Sequence, residues 1–392
     1  MKKNFKAPFL FASYLYILKN FSLQGSAKIC SLNLYTKYFM QFFHFSSGPA
    51  FLPPQIHQEI QAACNPKTSS KTPLLLISHR SDEFLSLIQQ NILLAKKLLD
   101  IPDNFHILFL PTGASYHFYL SALNLLPPLH SAAFILSGYW SKKAYLAAAN
   151  AGHTYIAASS EPDNFNHIPK KLNLQQNTQY LHITSNNTIY GTQFHQLPDS
   201  PVPIVADMSS DIFSKPIDWS NLGMVYACAQ KNFGIPSLSL VIIREDMLGK
   251  TQKNIPEILD YQAHINSNSV YNTHSVLQVF VANRMLEWTH KQGGVQHFQH
   301  LSKQKSALVY QAIDENSLFN GTCINEDRSD MNICFTLPTN ELENAFENHA
   351  ENLGLSGLRG HRHLGGFRAA LYNPIPLEAA EKLAEAIRTF KG

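Results

Sequence analysis

The sequence is poor in charged residues and in cysteine, and both shortages exclude classes of protein. Only 15% of the 392 residues are charged while 45% are hydrophobic, so the chain can bury a large core and is neither disordered nor collagen-like. Its five cysteines are scattered and never form a C-x-x-C pair, which excludes a disulfide-stapled scaffold and the common zinc and redox motifs. Such cysteines are typical of reduced thiols, so we expect a cytoplasmic protein.

Several catalytic motifs are also missing. The sequence contains no H-E-x-x-H pair, no G-x-S-x-G elbow, no P-loop and no G-x-G-x-x-G turn. No motif therefore supports a function as a zincin, an α/β-hydrolase, a P-loop NTPase or a dinucleotide-binding protein. Eighteen histidines invite a metal interpretation. However, the closest pair, His361 and His363, has no cysteine or carboxylate at ligand spacing, and we predict no metal site.

Acidic residues are absent before Glu59, and residues 1–39 hold six lysines. Without these six, the net charge of +3 becomes −3, which gives no electrostatic case for nucleic-acid binding. The opening MKKNFK and the short apolar run after it have the shape of a secretory signal but are too short to span a bilayer. Three interpretations stay open: translation from Met40, a retained extension, or a signal peptide. We place residues 1–39 outside the fold and expect no membrane partner.

Short apolar runs alternate with helical stretches from about residue 72, a pattern typical of parallel α/β architecture. Runs this continuously apolar suit strands buried on both faces. The predicted strands are HILFL (106–110), AAFIL (132–136), TYIAA (154–158), QYLHIT (179–184), VPIVAD (202–207), MVYACA (224–229) and LSLVIIRE (238–245).

The last ninety or so residues have a different pattern, with a strand in 328–338, a helix over 340–354 and a final helix after Pro376. We therefore predict a large α/β domain over residues 55–300 and a smaller α+β domain over 301–392. Residues 40–54 are expected to be an N-terminal segment that packs with the small domain.

Three polar features end apolar runs, where ligands gather in a parallel sheet. Asp207 ends one run, Lys231 ends the next, and a Gly113-Ala114-Ser115 turn joins a strand to a helix. An acid, a lysine and a helix N-terminus that can bind phosphate are the groups that pyridoxal phosphate needs. Each also has an ordinary structural explanation, as a helix cap, a solvated strand end or a tight connection. The spacing alone leaves both interpretations open.

Longer segments of the sequence resemble the phosphoserine aminotransferase family, and they cover essentially all of residues 43–392. The matching segments include FHFSSGPAFLP (43–53), SHRSDEF (78–84), SGYWSKKA (137–144), SNNTIYGT (185–192), VADMSSDIFSKPIDW (205–219), YACAQKNFG (226–234), LDYQAHINSNSVYNT (259–273), RSDMN (328–332) and GLRGHRHLGGFRAALYNPIPLE (357–378). The resemblance implies a fold-type I, class-V enzyme that depends on pyridoxal 5′-phosphate. It implies a large, mostly parallel-sheet domain and a smaller α+β domain. The implied reaction moves an amino group between glutamate and 3-phosphohydroxypyruvate in serine biosynthesis, and also serves the 4-phosphohydroxythreonine pair of pyridoxine biosynthesis.

The resemblance also implies roles for individual residues in a homodimer. Lys231 matches the Schiff-base lysine, and Asp207 matches the partner of the pyridinium nitrogen. The other implied cofactor contacts are Ala114, Ser115, Trp140, Thr188 and Gln230, with Asn272 and Thr273 completing the partner subunit's site. The implied substrate contacts are Arg368 for the α-carboxylate, and His79, Arg80, His361 and Arg362 for the distal anion.

The sequence departs from the family pattern at three places. Thr112 stands where a glycine usually begins the phosphate turn, His274-Ser275 stands where two prolines are common, and Ser115 stands where some members have arginine. These departures bear on where the phosphate lies and how tightly it is bound more than on which family the chain resembles. Two rival functions remain: an alanine–glyoxylate type transaminase, and a pyridoxal-phosphate-binding protein without turnover. A substrate with an uncharged side chain, such as alanine, needs no distal cations, and the presence of His361 and Arg362 beside Arg368 therefore argues against the first.

Overall fold

A computed structural model of the chain describes residues 42–66, 72–251, 254–361 and 364–392. The predictions for residues 1–39 and for Arg362 and His363 therefore lie outside the described residues. Residues Phe43–Gly392 form one compact unit. No helix of the described segments is long and apolar enough to cross a membrane.

A seven-stranded sheet is the centre of the fold, in the order β2-β8-β7-β6-β5-β3-β4. Its strands are β2 (Phe105–Leu110), β3 (Ser131–Leu136), β4 (His153–Ser159), β5 (Thr178–Thr184), β6 (Ile204–Asp207), β7 (Leu222–Cys228) and β8 (Ser239–Arg244). The seven predicted strands are thus confirmed, each within two residues at either end. β8 runs antiparallel to both neighbours, and the other strands are parallel to one another.

Helices cover both faces of this sheet, and apolar clusters fill the space on each side. The helices of the described residues, including two in the C-terminal part, are α1 (Pro54–Cys64), α2 (Asp82–Leu99), α3 (Ala114–Leu125), α4 (Tyr139–Ala148), α5 (Tyr261–Asn266), α6 (Val276–Lys291), α7 (Gly294–Glu315), α8 (Asn340–Asn352) and α9 (Leu377–Thr389). The last two, α8 and α9, belong to the C-terminal core. α2 illustrates how local sequence sets the bounds. Ser81 caps its first turn by accepting a hydrogen bond from the Phe84 amide, and Asp100 ends it in a left-handed conformation before Pro102.

The C-terminal part has its own antiparallel sheet and its own core. The sheet consists of β9 (Asn320–Gly321), β10 (Asn332–Thr336) and β12 (Phe367–Ala370). The N-terminal β1 (Phe43–His44) pairs with β11 (Leu355–Ser356), so the start of the described chain packs with its end. α7 is continuous through residue 300. The predicted domain boundaries at 54 and 300 remain predictions.

The carboxyl edge of the parallel strands brings distant residues together. Asp207 lies beside Tyr226 in the register of β6 and β7, and Lys231 follows three residues after β7 ends. β2 ends close to the N-terminus of α3 on the same edge. Residues from three separate strand ends therefore converge, as expected for a ligand site in an open α/β sheet.

Candidate active site

A cavity of about 290 Å³ lies at this edge of the sheet. Most of the residues that the sequence predicted for the site line it. These are Ala114, Ser115, Trp140, Thr188, Asp207, Gln230, Lys231, His361 and Arg368. The predicted site is therefore a real cavity that gathers residues separated by more than two hundred positions in the sequence.

Asp207 is held at the floor of the cavity. Its side chain is only 5% exposed, and its Oδ1 accepts a hydrogen bond of 3.0 Å from the Ser209 amide. Burial raises the pKa of this carboxyl, whereas the nearby Lys231 ammonium lowers it. A ligand cation placed against the carboxylate would favour the ionised form further, so Asp207 suits a protonated ring nitrogen.

Lys231 faces Asp207 across the cavity. Burial lowers the pKa of its amine, but Tyr372, Cys228 and Asp207 together outweigh burial and raise the pKa above the ordinary value. The neighbouring Arg368 opposes them. The lysine is thus a cation in the ligand-free protein, and it lies between an acidic group and an arginine.

The N-terminus of α3 forms another wall of the cavity. α3 begins at Ala114 after Gly113, and no side chain caps its first turn. The amide groups of such an end lack partners within the helix and attract anions. Gly113, Ala114 and Ser115 all line the cavity, so this helix end can bind a phosphate.

Thr112 points away from this turn and braces it. Its hydroxyl lies 2.8 Å from Ser239 Oγ and 3.3 Å from His117 Nε2. His117 Nδ1 lies 2.9 Å from the Tyr261 hydroxyl, and burial lowers the pKa of His117 to about 3, so the ring is neutral. The side chain that replaces the usual glycine therefore ties the turn to β8. Thr112 is not among the residues that line the cavity.

Trp140, Thr188 and Arg368 form one connected group. Trp140 Nε1 donates a hydrogen bond of 3.2 Å to the Thr188 hydroxyl, and Arg368 Nη1 donates one of 3.0 Å to the Thr188 carbonyl. The Thr188 hydroxyl keeps its own proton to donate into the cavity. Arg368 Nε is buried without a hydrogen-bond partner, which is costly for a charged donor unless an anion binds there.

His361 reaches the cavity from a tight loop between β11 and β12. The loop closes where the Gly360 amide donates to the Gly366 carbonyl, and a Cβ on Gly360 would lie only 2.0 Å from the Gly365 carbonyl oxygen. The His361 ring lies 5.5 Å from the ring of Tyr139, beside Trp140. Glycine at position 360 is therefore needed for the loop to present His361 at the mouth of the cavity.

Four predicted residues, all within the described ranges, do not line this cavity: His79, Arg80, Asn272 and Thr273. Arg80, Asn272 and Thr273 are exposed. The two loops that carry the four residues are neighbours on the surface. The ring of Phe84 in α2 lies 5.7 Å from the ring of His274, and burial together with the nearby His79 lowers the pKa of His274. His274 itself is buried against the Ser269 carbonyl, which ties the segment to its own chain.

Several residues that line the cavity are not among the site residues predicted from the sequence, including Ser47, Thr184, Asn186 and Ser209. Thr184 ends β5 directly beside Asp207 in the register, and its hydroxyl is buried without a partner. The rule that selected Asp207 and Lys231, a polar residue at the end of an apolar run, applies equally to Thr184. Ser47 could not be found in this way because it lies in the N-terminal segment, outside the seven-stranded sheet.

The residues of the cavity fit pyridoxal phosphate. The donor set contains a lysine amine, a buried carboxylate and a helix end for phosphate, and both Thr184 Oγ1 and Arg368 Nε are buried polar atoms without partners. Among the described residues, no group of histidines, cysteines or carboxylates is placed to hold a metal ion.

Comparison with known proteins identifies relatives of the chain. The family model for class-V aminotransferases matches residues 42–362. The chain is 40% identical over 354 residues to a phosphoserine aminotransferase of Azobacteroides pseudotrichonymphae, covering 90% of this chain and 98% of that protein. It is 39% identical over 354 residues to that of Bacteroides fragilis, covering 90% and 99%.

Solved structures give the same result for the fold. The phosphoserine aminotransferase from Bacillus circulans superposes with a TM-score of 0.85 at 37% identity, covering 89% of this chain and 98% of that one. A pyridoxal-phosphate-bound relative from Trichomonas vaginalis gives 0.85 at 33% identity, covering 88% and 99%. An alanine–glyoxylate aminotransferase from Nostoc has a TM-score of 0.70 but only 13% identity, which is a likeness of fold alone.

Proposed function

Because the chain belongs to the class-V aminotransferases, and among them to the phosphoserine aminotransferase family, we propose that it transfers an amino group between glutamate and 3-phosphohydroxypyruvate. The products would be 2-oxoglutarate and O-phosphoserine, which places the enzyme in serine biosynthesis. The observation that carries the proposal is the unpartnered guanidinium nitrogen of Arg368 beside Lys231 in the cavity. In this pair, Arg368 would bind the α-carboxylate of the substrate and Lys231 would serve the amino transfer.

Each residue of the cavity has a distinct task in this reaction. When bound, pyridoxal phosphate supplies a carbonyl carbon that takes the amino group and a ring that accepts the electron pair left on the substrate Cα. Lys231 Nζ would take the proton from the substrate Cα and pass it to the cofactor carbon that receives the amino group, and it would move a proton in the opposite direction in the second half-reaction. The Asp207 carboxylate would keep a proton on the ring nitrogen, and the amides at the start of α3 would hold the phosphate. Trp140 would cover the ring and exclude water from that side.

Substrate orientation depends on Arg368. A guanidinium can bind a carboxylate with two parallel hydrogen bonds, and this fixes the direction of the Cα–H bond towards Lys231. Both proposed substrates carry an α-carboxylate and a second, distal anion. His361 lines the cavity and would meet that distal group. The same two contacts would accept the 4-phosphohydroxythreonine pair, which we include in the proposal.

The remaining distal cations would come from a second copy of the chain. His79 and Arg80 lie with Asn272 and Thr273 on one surface outside the cavity, and no ion-pair partner for Arg80 is found among the described residues. Exposed apolar side chains adjoin both loops: Leu75 and Leu76 are 65% and 74% exposed, and Tyr271 is 38% exposed. Exposed apolar surface of this kind marks protein interfaces. These features support a homodimer in which each subunit completes the other's site.

Mixed dimers test the shared site. We expect a heterodimer of one Lys231→Ala chain and one Arg80→Ala chain, isolated with two affinity tags, to have about half the activity of the wild-type dimer, because one complete site forms. The matched control joins a Lys231→Ala, Arg80→Ala double-mutant chain to a wild-type chain. In this control, the only site that keeps Lys231 is on the wild-type chain, and it receives alanine instead of Arg80 from the double-mutant chain. Its kcat/KM for 3-phosphohydroxypyruvate should therefore fall by roughly 30-fold or more. The reverse ranking of the two heterodimers would show that Arg80 acts within its own subunit.

The choice of keto acid tests the proposed substrate class. With glutamate as amino donor, kcat/KM for 3-phosphohydroxypyruvate should exceed that for pyruvate or glyoxylate by roughly three orders of magnitude, since the small substrates leave the distal cations unpaired. Similar values would favour the alanine–glyoxylate type of reaction. The reduced character expected of the scattered cysteines supports a cytoplasmic location for the enzyme.

A further inference from the structure

Lys305 is a fully buried lysine that has no part in the reaction described above. It lies on α7, its side chain is 0% exposed, and no carboxylate within the described ranges pairs with it. Instead, its Nζ donates three hydrogen bonds to backbone carbonyls: Leu371 at 2.8 Å, Tyr372 at 2.9 Å and Ile375 at 3.0 Å. Burial lowers the pKa of this amine to about 7.

The three carbonyls belong to the segment 371–375, which follows β12 and has no regular secondary structure. Buried carbonyls outside helices and strands need donors from elsewhere. An ammonium group has three donors and no acceptor, so one lysine satisfies all three carbonyls at a single point. The segment 371–375 is therefore fixed to α7 through Lys305.

This segment is in contact with the surroundings of Lys231. The Tyr372 hydroxyl donates to the Ser47 carbonyl at 3.2 Å, and burial raises the pKa of the Tyr372 phenol although the nearby charge of Lys231 opposes this. The Asn373 amide donates to the side chain of Asn232, the residue after Lys231, at 3.1 Å. Asn232 also donates to the Ile212 carbonyl at 2.9 Å, which fixes its side chain. The contacts therefore run from Lys305 on α7 through the segment 371–375 to Asn232, the chain neighbour of Lys231.

We propose that Lys305 is a positioning residue for Lys231. By gathering the carbonyls of 371–375, it holds Tyr372 against Ser47 near Lys231 and Asn373 against Asn232, and it thereby sets the direction of the Lys231 amine. This role concerns the lysine itself and holds whichever phosphorylated keto acid the enzyme uses.

The test compares Lys305→Met, which keeps the length of the side chain but has no donors, with Lys303→Met on the exposed face of the same helix. We expect the Lys305 variant to shift the pH midpoint of the visible absorbance of the cofactor-loaded, substrate-free protein by about half a pH unit or more. We also expect kcat to fall roughly 10- to 100-fold while KM for glutamate changes much less. The Lys303 variant should match the wild type in both measurements.

A structural role alone gives a different result. If Lys305→Met lowers the melting temperature but leaves the absorbance midpoint and kcat equal to those of Lys303→Met, the positioning role is wrong. If Lys305→Met does not fold, Lys305→Gln, which keeps two donors, is measured in the same way. An intermediate shift in its midpoint supports the proposal, and an unchanged midpoint and kcat overturn it.

Discussion

Replacing Lys231 with alanine is expected to lower the rate of amino transfer by about four orders of magnitude or more. The alanine variant lacks both the amine that bonds to the cofactor and the base that takes the Cα proton. No second lysine lines the cavity among the described residues, so no nearby group can replace it. Steady-state kinetics with glutamate and 3-phosphohydroxypyruvate measure the loss.

The absorbance spectrum separates this effect from a failure to bind the cofactor. Lys231→Ala should still hold pyridoxal phosphate at α3 and Asp207, but as the free aldehyde, whose absorbance differs from that of the lysine-bound form. Lys303→Ala serves as the control for loss of a lysine elsewhere and should behave like the wild type. Turnover by the Lys231 variant within tenfold of the wild-type rate would exclude the assigned role.

Asp207→Asn is expected to reduce kcat by roughly 100- to 1000-fold. Asparagine can still accept the hydrogen bond from the Ser209 amide, so the local turn is preserved while the negative charge is lost. Without the carboxylate, the ring nitrogen loses its proton and accepts electrons poorly. The rate of the glutamate half-reaction, followed by absorbance, measures this loss directly.

Asp218 provides a matched control for this substitution. Its Oδ1 also accepts a hydrogen bond from the amide two residues on, Ser220, at 3.0 Å, but it is exposed and far from the cavity lining. Asp218→Asn should therefore leave kcat within about twofold of the wild type. If Asp207→Asn behaved like Asp218→Asn, the aspartate would be only a turn cap and the cofactor site would need another acid.

The sequence predicted the strands well because the sheet is buried on both faces. A continuous apolar run such as 132–136 does not alternate between polar and apolar residues, so its bounds can be predicted directly from where the polar residues begin. Burial on both faces is also the reason why the antiparallel direction of β8 could not be predicted from the sequence. An apolar run buried on both faces has the same pattern in a parallel as in an antiparallel strand, and direction is decided only by the path of the connecting chain.

The candidate site was predictable in part for the same physical reason. Asp207 and Lys231 end apolar runs, and the position of such ends at one edge of the sheet follows from parallel topology. Ser47 and His361 come from an N-terminal segment and a C-terminal loop, and no rule of strand order places them there. Their positions depend on the packing of the C-terminal core against the sheet, which a single sequence does not encode in a local pattern.

The Thr112 departure shows how a local difference is accommodated. From sequence, a threonine in place of glycine suggests crowding of the phosphate turn. In the structure its hydroxyl binds Ser239, and a neutral His117 completes the network. The threonine stabilises the turn and does not line the cavity, although the sequence suggested that it would crowd the phosphate.

The most direct measurement of the proposed function is an absorbance titration of the purified protein loaded with pyridoxal phosphate. Glutamate is added first, and 3-phosphohydroxypyruvate follows after its removal. We predict that glutamate abolishes the visible band of the lysine-bound cofactor and that the phosphorylated keto acid restores it, with pyruvate restoring far less. A band that glutamate abolishes but 3-phosphohydroxypyruvate fails to restore would contradict the assigned substrate.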